Sequence, residues 1–400
     1  MTFSRKFALL PVALAGFLCM QVHADEFDTL QFKVGQSFQH DSNVFRLSDS
    51  ANTAAILGQS GRSDTVSITT LGVKLDKTYS LQRFELDLNA DRFSYKNFSN
   101  LDFTAVNYAA AWRWSLTPAL HGNVTADQRK YVDNSADLQN LGQLNVRTDR
   151  SSLLDAEYEI DGAWRALGGV FERETLNRQA FTFEGDSKVR GVEGGVRYVF
   201  PSGTSLAYRL KQGNGEYPGR VSNAQFASDF KDREHEFRLD WPITGKTTIA
   251  SRLSHFDRTH EGLAARDFSG FIGQVQGTWE ATGKTRVIVG LMRELDSYQT
   301  NTSSYYEGYQ FFVAPTWKPT AKTSVQLRYQ HGVRDYKGAL PGFASLNRRD
   351  TLNTSTLAFE WQPTRVLTVA ASAMRDNRKS NEPGFDYKSN VINLSLLARF

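Results

Sequence analysis

The sequence predicts an all-β protein, a single closed antiparallel transmembrane β-barrel of about 18 strands with short periplasmic turns and longer extracellular loops. Three observations support this fold class. Apolar and polar residues alternate along repeated runs, clusters of turn-forming residues recur at regular spacing, and the tryptophans concentrate beside one set of turns. The mean hydropathy of −0.45 is polar for a membrane protein. A barrel that turns half of each strand toward water has such an average.

The N-terminal segment, residues 1–24, has the pattern of a cleaved signal peptide. Two basic residues precede an apolar stretch over 7–20, which is too short, at about 14 residues, to span a bilayer comfortably as a helix. Small residues at the positions that a signal peptidase reads end this segment at Ala24. We therefore expect residues 25–400 to form the barrel domain.

The composition of residues 25–400 excludes several classes of function. Cys19 is the only cysteine and leaves with the signal peptide, so disulfides and cysteine chemistry are not expected. The formal charge of +4 falls to about +2 without Arg5 and Lys6, which gives no reason to expect nucleic acid. The histidines are scattered, and the sequence shows no phosphate loop, zinc motif or dinucleotide motif. Neither a metal nor a cofactor is predicted.

The closing stretch, residues 390–400, shows the alternation most clearly. Ile392, Leu394, Leu396 and Phe400 share one face, while mostly polar residues occupy the other, as expected of a strand with one apolar and one wet side. The same pattern recurs through the chain, although its register is ambiguous at 164–173 and 285–295, where either choice leaves an Arg or Glu on the apolar side. Turn-forming clusters separate the runs at 76–80, 115–118, 160–163, 201–204, 242–245, 280–284, 318–322 and 362–365.

Successive clusters lie roughly 38–44 residues apart, so each period holds two strands of about 12 residues and one longer loop. A propeller repeats at a similar period but packs four short strands into each repeat. Only two long alternating runs occur per period, which favours hairpins. The predicted long loops are 46–63, 96–102, 132–147, 176–187, 212–230, 258–266, 297–303, 335–349 and 377–386.

All the tryptophans lie close to a predicted tight turn, and none lies near a predicted long loop. This placement predicts an aromatic girdle at one membrane interface, where the ring sits at the headgroup level with its N–H in water. The predicted girdle consists of Trp112, Trp114, Trp164, Trp241, Trp279, Trp317 and Trp361.

The polar face of the strands would line an aqueous lumen, with acidic residues on early strands and basic residues on later ones. Such arrays favour hydrophilic solutes, and an arginine lane would match the carboxylates of an anionic polymer through weak, multiple contacts. Alternatively, these charges pair with one another across strands and stiffen the wall. The predicted channel-lining residues are Glu85, Asp87, Asp155, Glu157, Arg197, Arg209, Arg238, Arg252 and Arg328.

Catalytic interpretations have little support, and the sequence predicts that the protein is not an enzyme. Glu157 and Glu159 are spaced as a glycosidase pair could be, but charged lumen walls produce such pairs freely. His255 with Ser251 and Ser254 would suit an outer-membrane lipase, yet a Ser/His neighbourhood is common by chance.

The opening stretch Leu30–Arg46, with its Asp41-Ser-Asn43-Val-Phe45-Arg46 element, and the final Phe400 carry a family resemblance. They resemble EpsL-type outer-membrane β-barrels of exopolysaccharide biosynthesis operons, within the wider group of predicted β-barrel porins. The resemblance implies an outer-membrane channel that exports exopolysaccharide with a periplasmic and inner-membrane synthesis and export apparatus. It also implies contact with the lipid bilayer, lipopolysaccharide and the outer-membrane barrel assembly machinery.

Two other functions fit the same features. The first is a general or substrate-selective porin for small hydrophilic solutes. The second is a surface adhesin or structural outer-membrane protein, whose long loops would contact other cells or secreted matrix.

Overall fold

The computed structural model describes residues 29–133, 144–179 and 184–400. The predicted signal peptide lies outside these residues. The described chain forms one sheet of 18 antiparallel strands in sequence order, and β1 pairs with both β2 and β18, which closes the barrel. The strands are β1 Leu30–Asp41, β2 Asp64–Tyr79, β3 Gln82–Tyr95, β4 Phe103–Thr117, β5 Leu120–Asp133, β6 Asn145–Glu159, β7 Trp164–Asn177, β8 Ser187–Val199, β9 Ser205–Glu216, β10 Asp229–Thr244, β11 Thr247–His260, β12 Phe268–Thr282, β13 Thr285–Ser297, β14 Tyr305–Thr320, β15 Thr323–Lys337, β16 Arg349–Trp361, β17 Leu367–Ser380 and β18 Tyr387–Arg399.

The seam between β1 and β18 joins the two ends of the described chain. Asp41 stands opposite Val391 at one end of the seam. At the other end, the Phe400 N–H donates to the Phe32 carbonyl at 3.0 Å, and the Phe32 N–H donates back at 2.6 Å. The two rings stack at 6.4 Å. Closure satisfies the backbone of both edge strands, which a membrane-spanning sheet requires, and the predicted fold class is confirmed.

The two faces of the wall differ in chemistry. Large apolar side chains on the outer face remain exposed, for example Leu71 at 57%, Phe271 at 65% and Ile392 at 62%. Their neighbours along each strand face inward and are mostly polar or charged. An apolar outer wall of this extent requires a hydrocarbon solvent. A soluble sandwich would bury the same residues.

The connections alternate between short and long, as the turn spacing predicts. Short turns join each even-numbered strand to the next strand, from β2–β3 to β16–β17. Longer segments join each odd-numbered strand to the next strand at the opposite end of the barrel. The longest described loop, residues 42–63 between β1 and β2, contains the helix α1, Thr53–Leu57. Single 3-10 turns occur at Ser99–Leu101 and Ala264–Arg266. Among the described residues, no helix is long and apolar enough to cross a membrane.

Both ambiguous registers are resolved by strand pairing. In β7, Trp164 and the exposed Val170 face outward, so Glu172 also does, near the long-loop end. In β13, the exposed Leu291 places Arg293 on the outer face at the same end. Each charge has a partner there, because Glu172 contacts Arg190 at 2.6 Å and Arg293 lies 3.7 Å from Glu307.

Candidate channel lumen and constriction

The loop at 42–63 begins inside the barrel, and the Asp41–Arg46 element anchors it there. Asp41 faces the lumen, and its Oδ2 accepts a 2.7 Å bond from Arg46 Nη1. Arg46 Nε lies 3.6 Å from Asp376 Oδ2 on β17, and its guanidinium lies over the ring of Tyr387. Arg46 is 3% exposed and has a φ of 55°, an unusual backbone conformation for a non-glycine residue, which these contacts hold.

Asn43 completes the anchor from the backbone side. Its side chain accepts from the Leu47 N–H at 2.9 Å and donates to the carbonyls of Leu47 at 2.8 Å and Lys388 at 3.0 Å. Asn43 is 1% exposed, so every one of these bonds is shielded from water. The element that carries the family resemblance is therefore a fixed corner at which the chain turns into the lumen.

Beyond this corner the loop packs against β2, β3 and β4, which lie on the other side of β1 from β17 and β18. Val44, Phe45 and Leu47 are buried, and Phe45 meets the ring of Phe98 edge-on at 4.9 Å. They join a cluster with inward-facing side chains of β3 and β4, including Tyr95. The segment thus lies against the inner wall from β17 to β4, near the end of the barrel that carries the long loops.

A second set of loops enters from the other side of the barrel. Glu184, in the loop between β7 and β8, binds Arg258 of β11 at 2.9 Å, and Arg258 also holds Asp232 of β10 at 2.8 Å. Arg220, in the loop between β9 and β10, donates to the Glu184 carbonyl and to Gln299 Oε1. Three loops, β7–β8, β9–β10 and β13–β14, are therefore tied to one another through Glu184, Arg220 and Gln299, and we call this group the loop cap.

Arg266 locks the same cap from the loop between β11 and β12. Its guanidinium donates to the carbonyls of Gln225, Thr300 and Ser303 at 3.1, 2.6 and 3.0 Å, respectively. Arg266 is 1% exposed, and burial lowers its pKa to about 10, which leaves it charged at neutral pH. A buried guanidinium that is satisfied by loop carbonyls and by the Ser304 hydroxyl makes the cap a rigid element.

Glu184 is the titratable contact between the cap and the wall. Burial raises the pKa of its carboxyl above the ordinary value of 4.5, Arg258 and Arg147 oppose that shift, and Asp296 adds to it. Ionised Glu184 therefore disfavours the folded state at neutral pH, and this contribution disappears as the pH falls through the raised pKa. Protonation of Glu184 should therefore favour the docked cap, and Arg258 keeps its ion pair with Asp232.

We expect acidification from neutral pH to change the channel conductance by favouring the docked cap, with the barrel still folded. Glu184→Gln should conduct at neutral pH as the wild type does in acid and should lose most of the pH dependence. Planar-bilayer recordings at a series of pH values measure both effects. The matched control is Glu261→Gln, in an exposed loop at the same end. An unchanged pH profile in Glu184→Gln would contradict this assignment.

The predicted acidic lining residues lie on the inner face of their strands, and most have cationic partners nearby. Glu85 contacts Arg113 at 3.0 Å and Arg83 at 2.9 Å, and Asp87 binds Lys33 at 2.6 Å. Further along the wall, Glu157 binds Arg197 at 2.7 Å and Arg165 at 3.2 Å. Asp155 instead accepts from the backbone and side chain of Asn123, both at 2.9 Å.

The predicted basic residues are also neutralised locally, by carboxylates that sequence reasoning missed. Arg209 binds Glu193 at 3.1 Å. Glu236, which is fully buried, contacts Lys211 at 2.8 Å, Arg238 at 2.6 Å and Arg252 at 2.5 Å. Glu193 and Glu236 occupy inward positions in the strand alternation, and that pattern was sufficient to find them. Arg328 differs, since its guanidinium lies over the Phe312 ring at 4.2 Å.

A polar recess lies in the lumen wall on the short-turn side of the loops. Its volume is about 440 Å³. Ala109 and Ala111 form its floor, because these short side chains leave room between charged neighbours. Lys74 and Asp127 stand at its two sides in the same register row, and neither has an ion-pair partner among the described residues. The recess therefore offers one cation and one anion to a passing solute.

The predicted tryptophans lie on the outer face, next to the short turns. Trp112 stacks on Phe84 at 6.1 Å, and its indole N–H donates to Gln82 at 2.8 Å. Six of the seven are 43–53% exposed, and Trp114 is half-buried. Their contact with lipid headgroups stays a proposal.

The two serines near His255 lie on opposite faces of β11. Ser251 faces outward, whereas Ser254 faces the lumen and donates to Glu234 at 2.7 Å, so the two serines do not share a site with His255. No group of three His, Cys, Asp or Glu residues that could hold a metal ion occurs within residues 29–133, 144–179 and 184–400.

A closed 18-strand barrel with an apolar outer wall and a charged interior defines the class of this protein. It is a bacterial outer-membrane β-barrel with the architecture of a porin.

Comparisons with known proteins agree with that class. A family model described as "Putative beta-barrel porin 2" matches residues 256–400. Among solved structures, Pseudomonas aeruginosa OccK2 (OpdF) in complex with glucuronate is similar at 12% identity with a TM-score of 0.52, covering 93% of this chain and 98% of that one. Acinetobacter baumannii OccAB4 is similar at 11% identity with a TM-score of 0.52, covering 93% and 99%. No curated protein sequence matches this chain.

At these identities, the structural similarity establishes the fold alone. Together with the family model, it supports the wider group of β-barrel porins. None of these matches supports the narrower EpsL-type resemblance.

Proposed function

We propose that the protein is a passive, substrate-selective channel for small hydrophilic solutes across the outer membrane. The observation that carries this proposal is the pair of inward obstructions near the extracellular end, namely the loop at 42–63 and the loop cap. The first is held by the buried ion pair of Asp41 with Arg46, and the second by the partly buried pair of Glu184 with Arg258. A fixed constriction of this kind sorts solutes by size and charge.

The charged lumen wall suits this role. Paired residues such as Glu157 with Arg197 present a polar surface without a deep trap, and transport needs weak, repeated contacts. The recess between Lys74 and Asp127 adds one place at which a small solute could pause. The barrel of similar architecture that was solved with glucuronate supports a solute of this size class.

Exopolysaccharide export, which the sequence resemblance implies, is the competing proposal. It would require an uninterrupted bore for a polymer and contact with a periplasmic export apparatus. The pinned loops argue against a wide bore, because their contacts with the inner wall hold them within the lumen. A surface adhesin or structural role needs no lumen selectivity at all.

Liposome swelling and secretion assays separate these functions. We expect reconstituted protein to admit monosaccharides and sugar acids, to exclude oligosaccharides with increasing size, and to conduct ions in planar bilayers. A deletion strain should take up such solutes more slowly and secrete polysaccharide normally. Loss of secreted polymer with unchanged solute uptake would favour export. Absence of both conductance and swelling would favour the adhesive or structural role.

A further inference from the structure

Two basic residues on the outer wall have no role in the channel. Lys231 and Arg233 lie near the start of β10, at the extracellular end. They occupy the same alternate positions as Phe237 and Trp241, whose exposed side chains mark the outer, lipid-facing side. Both cations are exposed and point away from the lumen.

Their height matches the upper boundary of the membrane. Trp241 lies near the short turn at the other end of β10, and Arg233 and Lys231 are eight and ten residues away from it. At about 3.4 Å per residue and a tilt of about 40°, these separations correspond to heights of roughly 21 and 26 Å. The apolar band of an outer-membrane barrel is about 25 Å tall. The two cations therefore lie where hydrocarbon gives way to headgroups.

The outward cations at the same end of β8 are neutralised by a neighbouring carboxylate. Lys188 and Arg190 on β8 lie 3.2 and 2.6 Å from Glu172. In contrast, the side chains of Lys231 and Arg233 form no hydrogen bond or ion pair within the part of the chain that the structure describes.

Polar neighbours surround the unpaired cations. Thr259 and Asn214 flank Lys231 in the register, and Gln212 and Asp257 flank Arg233. Asp257 is the one carboxylate in this set, and His255 Nδ1 lies 3.2 Å from it.

The residues below the two cations are strongly apolar. Phe237 and Leu253 are each 52% exposed, and Phe271 is 65% exposed. Two unpaired cations with amide and hydroxyl neighbours, directly above exposed aromatic and aliphatic side chains, complement an amphiphile with an anionic head and acyl chains.

We propose that this patch on β10–β12, with Lys231 and Arg233 at its head, binds a phosphorylated glycolipid of the outer leaflet. The lysine and arginine hold the phosphate, Gln212, Asn214 and Thr259 bond the sugar, and acyl chains lie on Phe237, Leu253 and Phe271. Arg233 offers the phosphate a bidentate fork and Lys231 adds a point charge. The site depends on the outer-membrane location and is independent of what the lumen transports.

The test uses purified full-length barrel in detergent and hexa-acylated diphosphoryl lipid A as the probe, with bound lipid counted by native mass spectrometry. The double variant Lys231→Gln, Arg233→Gln should bind at least about tenfold more weakly, since each lost charged contact is worth on the order of a factor of ten. Dephosphorylated lipid A should bind the wild type as weakly as diphosphoryl lipid A binds the variant. Heat-modifiable migration on gels checks that each variant forms a folded barrel.

The matched control removes two charges of the same sign from the same height of the wall. Lys188→Gln, Arg190→Gln should retain wild-type binding, because those cations are already paired with Glu172. Equal losses in both double variants would indicate a general charge effect and overturn the site. Retention of phosphate-dependent binding in the Lys231, Arg233 variant would overturn it as well.

Discussion

Replacing Arg46 with alanine is expected to release the loop at 42–63 from the inner wall and to give larger, noisier channel openings. The substitution leaves Asp41, whose side chain is 6% exposed, without its guanidinium partner, and Asp376 loses the same neighbour. Breaking a buried pair by removing one partner typically costs about 3–5 kcal/mol, because the remaining charge stays buried. That cost should fall on the local docking of the loop, since the strand ladder is unaffected.

Planar-bilayer recordings and limited proteolysis measure this release. The variant should show higher mean conductance and rapid cleavage within residues 48–63, while heat-modifiable migration still reports a closed barrel. Arg62→Ala is the control, because its pair with Asp49 lies in the same loop but is 32% and 52% exposed. Exposed pairs contribute about 0–1 kcal/mol. A quiet, protease-resistant Arg46→Ala channel would show that the corner does not hold the loop.

Local signals in the sequence were sufficient for the barrel itself. Strand alternation has a period of two, and each hairpin turn is specified by a few adjacent residues, such as Pro201-Ser-Gly-Thr204. An antiparallel barrel in sequence order adds little that is non-local except closure. The strand count, the turns and the outward face therefore followed from the chain one period at a time.

The constriction could not be predicted in the same way. Arg46 and its partner Asp376 lie near opposite ends of the sequence, and Glu184 meets Arg258 three strands away. Contacts of this kind leave no periodic pattern. The Asp41–Arg46 element was noticed for its resemblance to a family. Its physical role as a corner became apparent only from the hydrogen bond of Arg46 to the Asn43 carbonyl and from the contact of its guanidinium with the Tyr387 ring.

The lumen charges illustrate an intermediate case. Alternation predicts that Arg238 and Arg252 face inward, and it suggested a basic lane because their counter-ions were not considered together with them. In the structure, Glu234 and Glu236 on β10 sit between these arginines and Lys211. The wall at this point carries a small surplus of positive charge, and its effect on permeating ions depends on the buried carboxylates.

Replacing Glu236 with glutamine is therefore expected to shift the channel toward anions. Two carboxylates and three cations meet at this site, so the variant raises the local charge from +1 to +2. One extra charge at about 8 Å in water lowers the energy of a permeating anion and raises that of a cation by about 0.5 kcal/mol each, which corresponds to roughly a fivefold change in the anion-to-cation permeability ratio. Glutamine keeps the shape of the side chain, which limits the accompanying loss of packing.

Reversal potentials in a salt gradient measure this ratio, and the shift should shrink in concentrated salt as screening shortens the range of the added charge. Glu172→Gln is the matched control, since it makes the same charge change on the outer face of β7 and should leave the reversal potential unchanged. If Glu236→Gln leaves the reversal potential at its wild-type value, permeating ions do not pass this section of the wall. If both variants shift it equally, the selectivity follows overall charge and is not set by the lumen.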